Sequence, residues 1–194
     1  MKIYADNAAT TRMSRTAIEA MLPCLDEICG NPSSLYSEGQ RAKDVIETAR
    51  KEIAQIINAD PKEIIFTSGG SEADNQAILS AAAIGQKSGK RHIISSAIEH
   101  HAVLHTLNKL EKLGFEITLL PVHENGMIRP DELEAAIRED TCLVTIMFAN
   151  NEIDTIQPIK EIGEICRERK VLFYTDAVQA VGHLPIDVAE YHID

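Results

Sequence analysis

The chain has 194 residues, of which 44% are hydrophobic and 25% charged, and its formal net charge is -11. That length allows one substantial domain, or a large domain with a fragment of a second, and the composition is that of an ordered globular protein rather than a disordered or low-complexity one. The acidic balance, without any dense Lys/Arg block, argues against nonspecific nucleic-acid binding, and no apolar run approaches the roughly 20 residues of a membrane span.

The first residues, "MKIYADNAATT", lack the apolar centre of a signal peptide, so a cytosolic protein is expected. A turn-rich polar beginning flanks one helix at about residues 15–28. Then "GQRAKDVIETARKEIAQIINA" (39–59) places Ala42, Val45, Ile46, Ala49, Ile53, Ile56 and Ile57 on one face, the period of an amphipathic helix. After the turn at Asp60 and Pro61, "EIIFT" (63–67) reads as a strand, and "SGGSEADNQAILSAAAIG" as a loop feeding a helix.

The alternation then repeats. "HIISS" is a strand, "HHAVLHTLNKLEKLG" a helix, "FEITLLPV" a strand, and "RPDELEAAIRED" a helix with Pro130 near its start. "CLVTIMFA" is a strand, "PIKEIGEICRERK" a helix and "VLFYT" a strand. This pattern predicts an α/β protein, a three-layer, mainly parallel sheet with helices on both faces. The four cysteines, Cys24, Cys29, Cys142 and Cys166, have neither C-x-x-C nor zinc-like spacing and read as reduced or buried structural thiols.

In open parallel sheets ligands bind beyond the carboxyl ends of the strands, and four such mouths carry suggestive side chains. "TSGGSE" (67–72) is either a tight turn capped by Ser71 or a glycine loop whose helix N-terminus accepts an anion; it matches neither G-x-G-x-x-G nor a Walker A loop. "SAIEHHAVL" brings Glu99, His100 and His101 to the end of one strand, where an imidazole can cap a helix, stack on a flat ligand or shuttle a proton. His101 and His105 are an i, i+4 pair, but with no third ligand in view no metal is assigned. "FANNE" offers Asn150 and Asn151 as a turn or as amide donors, and "VLFYTDAVQA" offers Asp176 as a cap or as an anionic anchor. Together these groups suit a flat heteroaromatic ring bearing a phosphate and a protonatable nitrogen, a description that pyridoxal 5'-phosphate meets.

At these residues the sequence resembles the NifS/IscS-type cysteine desulfurases, class V of the fold type I pyridoxal-phosphate enzymes. The matching stretches are "YADNAATT", "GNPSS", "FTSGGSEADN", "SAIEHHAVL", "NNEIDTIQPI" and "TDAVQAVGHLPID", in family order from Tyr4 to Asp187. The resemblance implies that Gly70 and Ser71 bind the cofactor phosphate, that His100 stacks on its ring and acts as an acid/base, and that Asp176 partners the pyridinium nitrogen. It places Asn151 and Gln179 near the ring's hydroxyl and the substrate, with Ala8 and Ala9 lining the substrate pocket. It assigns residues 1–14 to the family's small domain and 15–194 to an incomplete cofactor-binding large domain.

The activity implied is conversion of L-cysteine to L-alanine, leaving a persulfide sulfur for iron-sulfur assembly or tRNA thiolation. A sulfur-acceptor protein and a homodimer are the implied partners. The family's cofactor-linked lysine, in an "S-G-H-K" motif, and its catalytic loop cysteine match no residue here, so the chain reads as a truncated large domain, inactive by itself. A noncatalytic binding or scaffold paralogue, or another class V enzyme such as a selenocysteine lyase, is the alternative. Two departures touch the site: Asp154 stands where the family has Gly, and Tyr174 where His is common.

Overall fold

A computed structural model describes residues 3–194, and the chain divides into two compact units that part between Ile65 and Phe66. The first unit contains α1 (Arg15–Asp26), α2 (Ser37–Ile57) and a 3-10 turn at Pro61–Glu63. Ser14 starts α1 by accepting the Ala17 N–H on its hydroxyl at 3.1 Å, satisfying one of the helix's orphan donors. The 3-10 turn is closed reciprocally: the Asp60 carboxylate accepts Lys62 N–H, and Glu63 reaches back to Asp60 N–H, each at 2.8 Å.

The expected strand at 63–67 does not form. Glu63 ends the 3-10 turn, and residues 64–67 belong to no ladder among the described residues. Ile65 and Phe66 are 68% and 49% exposed. A β-branched run gains from the strand conformation when a neighbouring backbone pairs with it, and this one has no such neighbour.

The second unit is built on four parallel strands, β1 (His92–Ser96), β2 (Glu116–Leu120), β3 (Thr141–Thr145) and β4 (Leu172–Tyr174), in spatial order β2-β1-β3-β4. Four helices accompany them: α3 (Gly70–Lys87), α4 (His101–Lys112), α5 (Pro130–Ala136) and α6 (Ile159–Arg169). The chain leaves β1 outward to β2 through α4, returns across β1 to β3 through α5, and continues to β4 through α6. With right-handed crossovers, this reversal puts α4 on one face and α5 and α6 on the other. The three-layer expectation therefore holds, and the winding reverses between β1 and β3.

Strand parity assigns the core. Ile93, Leu143, Leu172 and Tyr174 point to the α3/α4 side, where Ile78, Ala82, Val103, Leu107 and Leu110 meet them. β1 and β3 are buried at every position, as expected of central parallel strands. Cys142 and Cys166 are buried, whereas Cys24 and Cys29 are exposed on the first unit, so burial accounts for two of the four thiols.

The amino ends of the strands are pinned by His92, which is fully buried. Its Nδ1 lies 2.7 Å from Thr141 Oγ1 on β3 and its Nε2 lies 2.8 Å from Thr118 Oγ1 on β2, so one ring bridges three strands. Burial, reinforced by the nearby Arg138 charge, lowers the imidazole pKa from 6.5. The unfolded chain thus takes up a proton below that value that the folded chain resists, so this residue makes stability fall as pH drops below 6.5. His92→Ala is expected to cost about 2–4 kcal/mol near neutrality, by leaving a cavity and taking the ring's hydrogen bonds from the Thr118 and Thr141 hydroxyls. Urea denaturation at stepped pH should show the gap between parent and variant narrowing in acid.

Candidate cofactor site

The crevice at the winding reversal lies where the chain runs out of β1 into residues 97–100 and out of β3 into residues 146–151. A cavity of about 260 Å³ opens there, lined by Glu99, His100, His101, Asn150 and Asn151, with Ile153 at its side. His100 and Asn151, assigned from separate mouths, therefore share one cavity. Asn150 is committed to holding the two mouths together. Its Nδ2 donates to Ile98 O at 2.8 Å, and its Oδ1 accepts the N–H groups of Glu152 at 2.8 Å and Ile153 at 3.0 Å.

His100 is the N-cap of α4: its Nδ1 accepts Ala102 N–H at 3.1 Å. That bond requires a lone pair on Nδ1, so the neutral ring carries its proton on Nε2. The ring is exposed and its orientation fixed, which suits an imidazole that must present one face or one N–H to a ligand. Its neighbour His101 lies 6.1 Å away, centroid to centroid, and His101 and His105 are 5.8 Å apart. Among the described residues, no group of three or more His, Cys, Asp or Glu side chains could hold a metal ion.

The glycine turn begins α3 differently from its simplest reading. The cap position is Gly69, which offers no side-chain bond, and Gly70 is the first helical residue, so Ser71 does not cap the helix. Glu72 folds back instead, accepting both Ser68 N–H and Ser68 Oγ–H at 2.6 Å. The first N–H groups of an α-helix have no intrahelical acceptor, and here no cap side chain competes for them. Gly70 is closely packed: a Cβ there would sit 3.0 Å from Val178 Cγ2, tighter than an ordinary contact, so the Val178 side chain would have to shift by a few tenths of an ångström. This contact sets the glycine turn against the turn that carries Asp176 and Gln179.

Asp176 is buried, and its Oδ1 accepts Val178 N–H at 3.0 Å. Phe148 N–H donates to the Asp176 carbonyl at 2.8 Å, extending the β3–β4 ladder beyond the named strands. Gln179 is half-buried one turn on. Two further buried carboxyls stand close by. Asp74, on α3, accepts a 2.6 Å hydrogen bond from Tyr174 Oη; burial raises its pKa, the Tyr174 bond opposes this, and the Asp176 charge adds to it. Glu99 is pushed up to about 7, chiefly by burial. Tyr174, where the resemblance led one to expect His, is itself raised by burial and by its bond to Asp74.

Asp74, Glu99 and Tyr174 were missed as a group in the sequence. Glu99 stands directly before His100, and Asp74 is four residues past Gly70, but no spacing announces that they converge. Ala8 and Ala9 belong to the first unit, in the turn at residues 7–9, where Ala9 N–H donates to Asp6 Oδ1 at 3.2 Å. Asp154, at the family's glycine position, adopts φ 56°, the left-handed conformation a glycine would take.

The donor set is of a kind that suits pyridoxal phosphate: uncapped helix N–H groups at a closely packed glycine turn, an oriented imidazole, a half-buried amide and a buried carboxylate. Fold and site thus define a parallel α/β protein with a polar-lined cavity at its winding reversal. The family model described as "Aminotransferase class-V" matches residues 3–194, and the chain belongs to that family.

Among relatives, it is 57% identical over 192 residues to "Cysteine desulfurase IscS" of Methanosarcina thermophila, covering 99% of this chain and 47% of that protein. It is 52% identical over 193 residues to "Putative cysteine desulfurase IscS 1" of Bacillus subtilis, covering 100% and 51%. Among solved structures, a "NIFS-LIKE PROTEIN" superposes with a TM-score of 0.96 at 38% identity, over 100% of this chain and 53% of that one. "SspA in complex with cysteine" gives 0.94 at 41%, over 98% and 55%. The likeness to NifS/IscS-type cysteine desulfurases therefore extends over the whole chain, which spans about half the length of these relatives.

Asp154→Gly is expected to raise stability by up to about 1 kcal/mol, relief of the left-handed strain being partly offset by a more flexible unfolded chain. Tyr174→Phe should lower it by about 1–3 kcal/mol, because Asp74 loses its donor while remaining buried. Chemical denaturation curves measure both.

Proposed function

We propose that the chain supplies the cofactor-binding half of a pyridoxal-phosphate-dependent cysteine desulfurase. That enzyme would release L-alanine from L-cysteine and pass the sulfur to an acceptor protein for iron-sulfur assembly or tRNA thiolation. A cytoplasmic homodimer is the form in which we expect it to work. The observation that carries this reading is that the cavity of His100 and Asn151 opens at the end of β3, whose continuation bonds to the Asp176 turn against which Gly70 packs. Identity to named cysteine desulfurases supports it.

In this reading the N–H groups at Gly70 and Ser71 bind the cofactor phosphate through the positive end of α3. His100, oriented by Ala102 N–H, lies over the ring and presents Nε2–H to it or to substrate. Asp176, held by Val178 N–H through Oδ1, meets the ring's N–H cation, and a buried carboxylate there favours the protonated ring. Asn151 and Gln179 orient the ring oxygen. When bound, the cofactor supplies an electron sink for bond cleavage in an amino-acid substrate.

Binding of pyridoxamine 5'-phosphate tests the cradle directly, because its amine requires no covalent link to the protein. Calorimetry should give saturable binding to the chain, in competition with inorganic phosphate. Asp176→Ala should weaken it about 10- to 100-fold, the scale of a lost hydrogen bond between charged groups. Absence of saturable binding to the parent chain would refute the reading.

A further inference from the structure

Glu99 has no role in the reading above, yet it is a buried carboxyl group that accepts two hydrogen bonds at the site. It is 5% exposed. Its Oε1 accepts two hydrogen bonds, from Ser96 Oγ–H at 2.6 Å and from Met147 N–H at 2.9 Å. Its Oε2 is buried without a hydrogen-bond partner. A charged oxygen is poorly tolerated in such a place, whereas a neutral carboxylic acid is accommodated.

The surrounding charges point the same way. Asp176, beyond β4, and Asp74, on α3, both oppose a negative charge on Glu99. Tyr174 of β4, on the same side, is held by Asp74, and His100 is next in the chain. Burial is the largest influence, and it places the proton's release at about 7, up from 4.5.

The geometry gives this proton a structural task. Met147 and Phe148 are successive residues beyond β3, and their N–H groups donate to opposite neighbours. Met147 donates to the Glu99 side chain on the β1 mouth, and Phe148 to the Asp176 carbonyl on the β4 mouth. The link to β4 is backbone to backbone, whereas the links to β1 run through side chains, one through the Glu99 carboxyl and one from Asn150 Nδ2 to Ile98 O. We propose that Glu99 is a positioning residue: as a neutral carboxylic acid it braces the His100 turn against the Asn151 turn, and loss of its proton loosens that brace. Ionisation strengthens the Ser96 and Met147 bonds to Oε1, but it also puts charge on a buried carboxyl with one dry oxygen and with Asp74 and Asp176 nearby, and the side chain would relieve this larger penalty by turning toward water. The proposal rests on the cofactor reading only in that the braced turns hold the ring.

The test compares the 194-residue chain with Glu99→Gln, which keeps an acceptor and stays uncharged, and Glu99→Ala, which removes the brace. The Met147 amide NMR signal of the parent should titrate with a midpoint near the 7 expected for Glu99, and that of Glu99→Gln should not. Denaturation gives a second pH profile. Between 4.5 and about 7 the unfolded chain has released the Glu99 proton and the folded chain has kept it, so the Glu99 contribution to stability declines as pH rises through that window. Glu99→Gln should abolish that contribution.

For pyridoxamine 5'-phosphate at about pH 6, Glu99→Ala should bind at least about tenfold more weakly than the parent and Glu99→Gln within about twofold, as expected for loss of one buried acceptor. A Met147 signal flat with pH in the parent, or an alanine variant that binds like the parent, overturns the proposal. If neither parent nor variants bind the ligand, the cofactor reading falls and hydrogen exchange judges the brace. Faster exchange at Met147 and Asn151 in Glu99→Ala but not Glu99→Gln upholds it; equal rates in all three overturn it.

Discussion

The site depends on how far apart three strand ends are held, and the segment that sets the distance is the continuation of β3 from Ile146 to Asn150. Alternate residues of this segment keep the ladder to β4 going: Ile146 N–H donates to Tyr174 O at 3.2 Å and Phe148 N–H to Asp176 O at 2.8 Å. Met147, between them, faces the other neighbour and reaches Glu99. Asn150 then bonds back to Ile98 while closing its own turn. A parallel strand alternates its backbone donors between two partners in this way, so the mouths of β1, β3 and β4 have little freedom to move independently. Four connections at 2.8–3.2 Å place His100, Asn151 and Asp176 relative to one another before any ligand arrives.

The same closeness concentrates negative charge. Asp74, Glu99 and Asp176 are all buried, the Asp176 charge raises the proton affinity of Asp74 and Glu99, and the Asp74 charge adds to it at Glu99. Tyr174 Oη–H offsets part of this at Asp74, and protonation offsets it at Glu99. A cation placed beside Asp176 would offset it further, which is why a cluster that is unfavourable by itself is informative about the ligand. His92 imposes the opposite pH sensitivity at the other end of the same strands, where its neutral form bridges β2 and β3. The sheet therefore has one buried group that resists gaining a proton at its amino end and another that resists losing one at its carboxyl end.

Much of this was legible in the sequence, for a physical reason. Helix and strand periods are local, and the alternation from Gly70 onward survives in the structure with boundaries moved by a few residues. The failure at "EIIFT" is instructive, because composition can mark residues 64–67 as apolar and β-branched but cannot supply the neighbouring strand that makes such a run a strand. The site divides along the same line. His100, Asn151, Gly70 and Asp176 each stand at an element's end, where a polar residue beside an apolar run is visible. Glu99 acquires its role from an amide 48 positions away, and Asp74 from a tyrosine 100 positions away. No local pattern encodes either pairing.

The two readings that competed at each mouth, local cap or ligand contact, turn out not to exclude one another. His100 caps α4 through Nδ1, and that bond fixes which nitrogen carries the ring proton. Asp176 closes its own turn through Oδ1, which fixes the orientation of the carboxylate plane. Ser71 is the counter-case: it lost its expected cap to Gly69, and the consequence is a helix start whose N–H groups meet no competing side chain. In each instance the local bond, or its absence, settles the one variable that recognition needs, namely tautomer, carboxylate orientation or availability of donors. Binding then has less conformational freedom to remove from these groups. A side chain that satisfies a turn while one polar atom remains in use by that turn is therefore a stronger indication of a prepared site than an unconstrained side chain would be, since a free side chain would have to be ordered by the ligand itself.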